Sequence, residues 1–296
     1  PEPGTPGEFA GELPFGFGPR IPMLLISPWT RGGYVASEVF DHTSTVKFLE
    51  TWSKHLGKPF TCPNITQWRR SIAGDLTSAI DFAHPRPGPA NIEDPVTGTP
   101  PNVSDHRLKH RDLSFHPHAT LTEDRSAGTV TALMTLAGGP SGKAVSMQVF
   151  PDAHQDFSNT PHTVSASDPR QYTWDTRQTD GAYAFSIYGP DGFLRSFAGQ
   201  VVPADQQNIG IPRVDVRLVS GSPGRVRLTL HNDGTRAVQY SLKANDYLGG
   251  SQTHSVAAGD SSVVTWPTDE GYYDVIITAD TGTGWTQRYA GRVATG

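Results

Sequence analysis

The chain has 296 residues, of which 24 are Lys or Arg and 29 are Asp or Glu, giving a formal net charge of −5. Charged residues make up 18 % of the sequence and form no run of one sign, which disfavours a nucleic-acid partner because phosphate binding needs clustered Lys and Arg. The 31 glycines, 25 prolines and 35 % hydrophobic content are typical of a loop-rich, β-rich globular protein with room for two or three domains. No apolar stretch is long enough to form a transmembrane segment.

Near the start of the chain, the pattern predicts a strand, a loop and a helix. Residues 21–26 are an almost unbroken apolar run, which indicates a strand buried on both faces. Apolar residues then return at helical spacing, which predicts a helix over residues 44–56, with Gly57 as the residue that follows its end. The candidates for its N-cap are Asp41, Thr43 and Ser44.

A strand buried on both faces needs neighbouring strands and covering helices, and the sequence offers few candidates for them. We therefore expect most of this sheet to lie outside the 296 residues, in the upstream part of a longer protein that was cut or processed. The first residues agree with this expectation, because they include no initiator Met and no signal-peptide pattern. The alternative is a very irregular first domain.

A second helical pattern covers residues 65–82 and predicts one or two short helices interrupted at Gly74. Arg69 and Arg70 lie beside Trp68 in this pattern; they either form ion pairs or meet an anionic group such as phosphate. The next stretch, residues 84–101, holds six prolines without an apolar period, which predicts a linker or a surface strap. The single cysteine, Cys62, is either a small buried residue or the partner of a thiol outside this chain.

From residue 113 onward, short alternating segments separated by turn residues indicate antiparallel sandwiches. The predicted strands are residues 119–121, 129–136, 144–150, 163–164, 171–174, 182–188 and 193–198, then 215–219, 225–232, 238–244, 252–256, 261–266, 272–279 and 285–289. The two sets repeat one another, since YTW and FAGQV in the first correspond to VTW and YAGRV in the second. Two copies of one sandwich are therefore predicted, with Trp174 and Trp266 in their cores.

The residues alone give weak signals for chemistry. In an open α/β sheet, ligands bind at loops that lead from strands into helices, and Asp41 and His42 lie in such a loop. The helix dipole is expected to disfavour the protonated imidazole of His42, whereas the negative charge of Asp41 is expected to favour it. A role in a site is one interpretation of this pair, and a simple helix cap is the other.

Four histidines, at 106, 110, 116 and 118, lie close together in the sequence. A metal site would need four convergent ligands, and no cysteine or ordered carboxylate pattern accompanies these histidines, so a solvated linker and first sandwich strand is the better interpretation. The sequence holds no nucleophile elbow, P-loop, HExxH or EF-hand motif. Taken alone, these residues do not specify a reaction.

Longer motifs carry a family resemblance. RIPMLLISPWTRGG, EVFDHTSTVKFLETW and NITQWRRSIAGDLTSAIDF resemble the end of the catalytic domain of bacterial phosphocholine-type, non-haemolytic-like phospholipases C of the phosphoesterase and acid phosphatase family. GAYAFSIYGPDGFLRSFAG and GYYDVIITADTGTGWTQRYAG are similar to the paired C-terminal domains of the same enzymes. The resemblance covers nearly the whole chain.

The resemblance implies an enzyme, a phosphoric diester hydrolase that cleaves the glycerol-side phosphodiester bond of phosphatidylcholine or a related phospholipid. It implies the end of an alkaline-phosphatase-like α/β/α domain followed by two all-β antiparallel sandwich domains. Asp41 and His42 match the family's FDHTS motif and are the predicted catalytic residues. The nucleophile and most ligands of a divalent metal ion of unknown identity would lie outside this chain.

The same resemblance implies a secreted bacterial protein that acts on phospholipid at a membrane or micelle surface. Its partner would be the N-terminal part of the same enzyme as a second chain, without which this chain is inactive. The expected domains are residues 1–83 (end of the phosphoesterase domain), 84–112 (linker), 113–202 (first sandwich), 203–213 (linker) and 214–296 (second sandwich). Two alternatives stay open: a phosphatase or phosphodiesterase for soluble esters, and a non-catalytic module that binds lipid or a cell surface.

Overall fold

The structure is a computed structural model that describes residues 1–88 and 109–294. It divides into two compact units, one formed by residues 15–113 and the other by residues 1–14 together with 114–296. We call them the helical unit and the sandwich unit. Most of the predicted linker, His106 included, lies outside the described residues.

The first four described strands have two or three residues each, and the later strands have six to ten. They are β1 (Phe9–Ala10), β2 (Leu13–Pro14), β3 (Tyr34–Ala36), β4 (Lys109–Arg111), β5 (Phe115–Asp124), β6 (Thr129–Gly138), β7 (Ala144–Pro151), β8 (Thr160–Ser165), β9 (Arg170–Asp175), β10 (Ala182–Tyr188), β11 (Leu194–Gln200), β12 (Pro212–Val219), β13 (Arg225–Asn232), β14 (Val238–Asp246), β15 (Ser251–Val256), β16 (Ser261–Pro267), β17 (Tyr272–Ala279) and β18 (Thr286–Arg292). The helices are α1 (His42–His55), α2 (Gln67–Ile72) and a 3₁₀ turn (Thr77–Ala79).

Helix α1 confirms the predicted helix and begins two residues earlier than expected. Asp41 is the N-cap, and its backbone N–H donates to Ser44 Oγ at 3.0 Å, which completes a capping box. At the other end, Gly57 has φ +71° and Lys58 N–H donates to the Ser53 carbonyl at 2.9 Å. Glycine suits this position because a side chain is disfavoured in the left-handed region.

The prediction of a buried strand over residues 21–26 is wrong. The segment has no regular structure, and Ile21, Leu24 and Ile26 are 64 %, 84 % and 89 % exposed. No strand in the described part of the chain pairs with it, so its backbone groups have no sheet partners and its side chains have no covering layer. The sheet of the helical unit consists of the parallel pair β3 and β4 in the described residues, so the expected α/β/α layers are not formed here.

The short helices predicted over residues 65–82 are confirmed as α2 and the 3₁₀ turn. Trp68, Ile72 and Leu76 are buried. The break falls at Gly74, where an added Cβ would lie 2.6 Å from both Glu38 Cδ and Phe40 Cε1. A close approach of neighbouring chain therefore requires glycine at this position.

The sandwich unit contains two copies of one seven-stranded arrangement, and all fourteen predicted strands are present. In the first copy, β5, β6 and β9 form one sheet, and β8, β7, β10 and β11 pair in that order in the other. The second copy repeats this with β12, β13 and β16 against β15, β14, β17 and β18. The antiparallel sandwich architecture is thus confirmed.

The two copies are joined through their edge strands. β11 pairs with β18 in antiparallel register, from Leu194 opposite Ala290 to Ala198 opposite Thr286. The two four-stranded sheets thereby become one continuous eight-stranded sheet. Because an unpaired edge exposes backbone N–H and C=O groups, each copy protects one edge of the other.

The cores explain the repeated sequence motifs. Trp174 and Trp266 are 1 % and 0 % exposed, which confirms their predicted core positions. Tyr183 lies opposite Gly199 in the first copy, and Tyr273 lies opposite Gly291 in the second. Each tyrosine ring packs over the glycine of the neighbouring strand.

Candidate functional site

The predicted site residue Asp41 forms the start of α1. Its Oδ1 accepts hydrogen bonds from the Thr43 N–H at 2.8 Å and from the Thr43 hydroxyl at 2.6 Å. Its Oδ2 accepts from Arg69 Nη1 at 2.8 Å in an ion pair. Burial raises the pKa of Asp41, but the bonds from Thr43 and Arg69 outweigh it, so this pKa lies below its ordinary value. The carboxylate is therefore held ionised and oriented.

His42, the second predicted site residue, is the first residue of α1 and is exposed to solvent. It directly follows Asp41, which fixes the start of the helix. The imidazole is thus placed at the positive end of the helix, where it can reach a ligand that approaches from solvent. The structure brings the backbones of the two predicted residues together but gives their side chains different surroundings.

Arg69 is a member of this cluster that the sequence left open between two roles. Its Nη2 donates to the Gly16 carbonyl at 2.7 Å, and its guanidinium lies 5.4 Å from the Phe17 ring centroid and 5.8 Å from the Trp68 ring. Together with the Asp41 ion pair, these contacts support the ion-pair interpretation.

Arg70, the next residue of α2, forms a second ion pair. Its two terminal nitrogens donate to the Glu50 carboxylate at 2.9 and 3.0 Å, and Nη2 also donates to the Cys62 carbonyl at 2.7 Å. Glu50 Oε1 accepts the Cys62 N–H at 2.7 Å as well. The hydrogen bond from Arg70 is the largest effect on Glu50 and lowers its pKa. This pair joins α1 to the segment around Cys62, which is a free thiol.

Within residues 1–88 and 109–294, no group of three or more His, Cys, Asp or Glu side chains is placed to hold a metal ion. Of the four clustered histidines, His110 lies in β4, where its Nδ1 is 3.3 Å from Ser37 Oγ. His116 and His118 lie in β5, so the first sandwich strand is the better account of this pair. The predicted metal therefore finds no donor set in the described residues.

Sequence reasoning missed an exposed aromatic cluster on the outer face of the eight-stranded sheet. We call Phe150, Phe157 and Tyr188 the aromatic corner. The Phe150 ring stacks on Phe157 at 5.6 Å and meets Tyr188 edge-on at 5.7 Å. Phe157 is 81 % exposed and Tyr188 is 47 % exposed.

The signal that could have found this cluster is the difference between the two copies. Phe150 lies opposite Ser186 in the first copy, and Lys243 lies opposite Ile276 at the same place in the second. The aligned repeats place Thr278 at the position of Tyr188. The second sandwich folds with polar residues at both positions, so the fold does not require aromatic ones.

Comparison with protein-family models gives matches to both units. The model of the C-terminal domain of bacterial phospholipase C matches twice, over residues 110–200 and 202–292, which is more than half of the chain. The chain belongs to the bacterial phospholipase C C-terminal domain family. The phosphoesterase family model matches residues 1–54, which include Asp41 and His42.

Curated relatives of this family match almost the whole chain. A non-hemolytic phospholipase C of Pseudomonas aeruginosa is 32 % identical, and the match covers 96 % of this chain and 43 % of the relative. A non-hemolytic phospholipase C of Burkholderia pseudomallei is 29 % identical, with 99 % of this chain and 45 % of the relative covered. A hemolytic phospholipase C of Pseudomonas aeruginosa is 28 % identical, with 98 % and 45 % covered.

This chain therefore spans less than half the length of these relatives. Among the helices of the described residues, none combines the length and hydropathy that crossing a membrane requires.

Proposed function

We propose that this chain is the C-terminal part of a secreted phospholipase C that hydrolyses the glycerol-side phosphodiester bond of phosphatidylcholine or a related phospholipid. The observation that carries the proposal is the double match of the C-terminal domain model, one match on each sandwich. The relatives named as phospholipases C and the phosphoesterase match over residues 1–54 add to it. The reaction would take place in a complete enzyme that includes residues outside this chain.

A divalent metal is part of the proposal, but the described residues do not fit a metal centre by themselves. No group of three donors exists in the described segments, and the Asp41 carboxylate is occupied by Thr43 and Arg69. The nucleophile and most metal ligands would come from outside the chain. What this chain supplies to the chemistry is the start of α1, with Asp41 as cap and His42 as the exposed group.

Within that site, the two predicted residues would have different tasks. Asp41 holds α1 in place through Thr43 and Arg69, and so it positions its neighbour. His42 would contact the substrate phosphate or the leaving group, because its ring faces solvent at a helix N-terminus, where anions are stabilised. An imidazole can donate or accept a proton there.

The proposed partner is the N-terminal part of the same enzyme, and two apolar surfaces of the helical unit support it. One is the exposed run over residues 21–26. The other is a single face of α1 and its end, where Leu49, Trp52 and Leu56 are 45 %, 55 % and 58 % exposed at spacings of three and four residues. Contiguous apolar surface of this kind marks a protein–protein contact.

The first experiment combines this chain with the upstream part of the same enzyme. We expect the mixture to hydrolyse phosphatidylcholine and the chain alone to show no activity. Rates on phosphatidylcholine, phosphatidylethanolamine and a soluble phosphate monoester then compare the substrate classes. A preference for the monoester would overturn the phospholipase proposal in favour of a phosphatase for soluble esters, and no activity in the mixture would favour the non-catalytic module.

A second experiment tests the apolar contact surfaces. Leu24→Gln and Trp52→Gln should weaken association of the chain with the upstream part, measured by isothermal titration calorimetry. Leu13→Gln is the matched control, since Leu13 is 74 % exposed in the sandwich unit, outside both surfaces. Equal affinities for all three variants would contradict the proposed contact.

A further inference from the structure

We propose that the aromatic corner of the first sandwich attaches the protein to a zwitterionic phospholipid surface that presents choline groups. This inference rests on the proposed function for its choice of lipid, and it assigns a task to a sandwich surface outside the site at α1. Three observations carry it: exposure, the difference between the copies, and local charge.

The exposure of the rings has an energetic cost in water. Phe157 lies in the loop between β7 and β8 and leaves 81 % of its surface exposed, although its ring stacks on Phe150. Tyr188, at the end of β10, presents its ring beside them. Aromatic rings combine an apolar body with a face that attracts cations, so they are suited to the boundary between lipid headgroups and acyl chains.

The second sandwich shows that the fold works without these rings. At the places of Phe150 and Tyr188 it has Lys243 and Thr278, both exposed. Both copies have the same strand order, so the strand arrangement itself does not require the aromatic pair of the first copy. At these two positions the outer face of the continuous sheet therefore carries aromatic residues in the first copy and polar residues in the second.

The Arg288 guanidinium lies near Tyr188, but its charge is paired with Asp274 at 2.6 Å. The loop beside the aromatic corner adds carboxylates, which favour a surface that presents cations. The loop over residues 152–159 contains Asp152 and Asp156 and no Lys or Arg. Asp152 Oδ2 accepts the Ser186 hydroxyl at 2.6 Å, which places its carboxylate on the same outer face. Carboxylates repel anionic lipids, whereas aromatic faces and carboxylates both attract the quaternary ammonium group of choline.

A shallow cavity beside this loop is also lined by a carboxylate and by no cationic side chain of Lys or Arg. Its volume is about 340 Å³, and its lining includes His154 from the same loop, Asp180 and the small side chains Ala184 and Ala198. A headgroup that enters beside the aromatic corner would thus meet one further carboxylate.

The test measures binding of the full chain to large unilamellar vesicles by cosedimentation, which needs no catalysis. We expect the chain to bind phosphatidylcholine vesicles and to bind phosphatidylglycerol vesicles more weakly. Phe157→Ser should lower the partition coefficient about tenfold, because burial of one aromatic ring contributes more than the free energy of a tenfold change. Tyr188→Thr, which introduces the residue of the second copy, should lower it in the same direction.

Leu248→Ser is the matched control, since Leu248 is 51 % exposed in a turn of the second sandwich. It should leave the partition coefficient unchanged. Wild-type binding by Phe157→Ser and Tyr188→Thr, preference for the anionic vesicles, or no binding to either vesicle would each overturn the inference. Hydrolysis of a short-chain, monomeric phosphatidylcholine by the complete enzyme is assayed separately, so a failure of the proposed activity is distinguishable from a failure of the membrane contact.

Discussion

Ser196 and Arg288 hold the same position in the two sandwich copies and lie opposite each other in the pairing of β11 with β18. Phe197 aligns with Tyr289 in the repeated motifs, which fixes this correspondence. A pseudo-two-fold axis therefore passes between the two residues. The copies meet as a symmetric pair within one chain and share one sheet.

Arg195 lies at this junction and is 0 % exposed. In the described residues its partners are the carbonyls of Leu194 and Ala290, both at 2.8 Å, and the Tyr273 hydroxyl at 3.0 Å. Arg195→Met should lower the free energy of unfolding by roughly 1–3 kcal/mol, because buried acceptors lose their donor. Urea denaturation followed by tryptophan fluorescence measures this change.

Arg227→Met is the control for that experiment, since Arg227 is exposed in β13. Its effect should stay within about 0.5 kcal/mol, as for other surface substitutions. If both variants lost equal stability, the guanidinium contacts of Arg195 would not stabilise the junction.

We expect that Gly199 of the FAG motif cannot be replaced by a larger residue, because the Tyr183 side chain lies against it. A Cβ added to Gly199 would lie 2.8 Å from the Tyr183 hydroxyl, and Tyr183 is 1 % exposed. Gly199→Ala should cost about 1–3 kcal/mol through overpacking. In a Tyr183→Phe background the cost should shrink, because the closest atom is removed; additive losses in thermal denaturation would contradict this account.

The sequence predicted structure best in the sandwiches, where each strand packs against strands that are close to it in the chain. The sandwich strands and the Trp174 and Trp266 core positions were predictable because alternation and turn residues act locally. Residues 21–26 were mispredicted because a buried strand depends on neighbours that the described chain does not provide. An apolar run is suited to a buried strand, but it forms one only where neighbouring strands are present to pair with it.

The candidate site was predictable only in part. Asp41 was one of three N-cap candidates that the sequence offered before the helical pattern, and the structure shows that it is the N-cap. Its ion pair with Arg69 joins residues that are 28 positions apart, and sequence spacing does not define such a contact. The aromatic corner combines side chains of two strands and a loop, so it becomes visible only when the sheet is assembled.

A pH-dependent loss of stability is expected from His118 in β5. Burial is the main cause that lowers its pKa from 6.5 to about 4; Arg195 lowers it further, and Asp215 opposes the shift. The unfolded chain therefore binds a proton that the folded chain does not bind between these values. Stability is fully present above pH 6.5 and is lost as the pH falls towards 4, by up to about 3 kcal/mol.

His118→Gln should make the melting temperature less dependent on pH between 6.5 and 4, as measured by calorimetry. His116→Gln, two residues away in the same strand, should keep the wild-type dependence. Parallel melting curves for the wild type and His118→Gln across this window would show that another group causes the acid sensitivity.

The role of His42 can be separated from that of its neighbour by comparing stability with turnover. His42→Ala should leave the melting temperature nearly unchanged, because the side chain is exposed, whereas in the complete enzyme it should lower turnover of phosphatidylcholine strongly. Asp41→Ala should lower both, since loss of a helix N-cap costs about 1 kcal/mol and the position of His42 is no longer fixed. His55→Ala, at the other end of α1, is the control and should change neither quantity. If His42→Ala retained wild-type turnover, the catalytic assignment would be wrong and the residue would simply begin the helix.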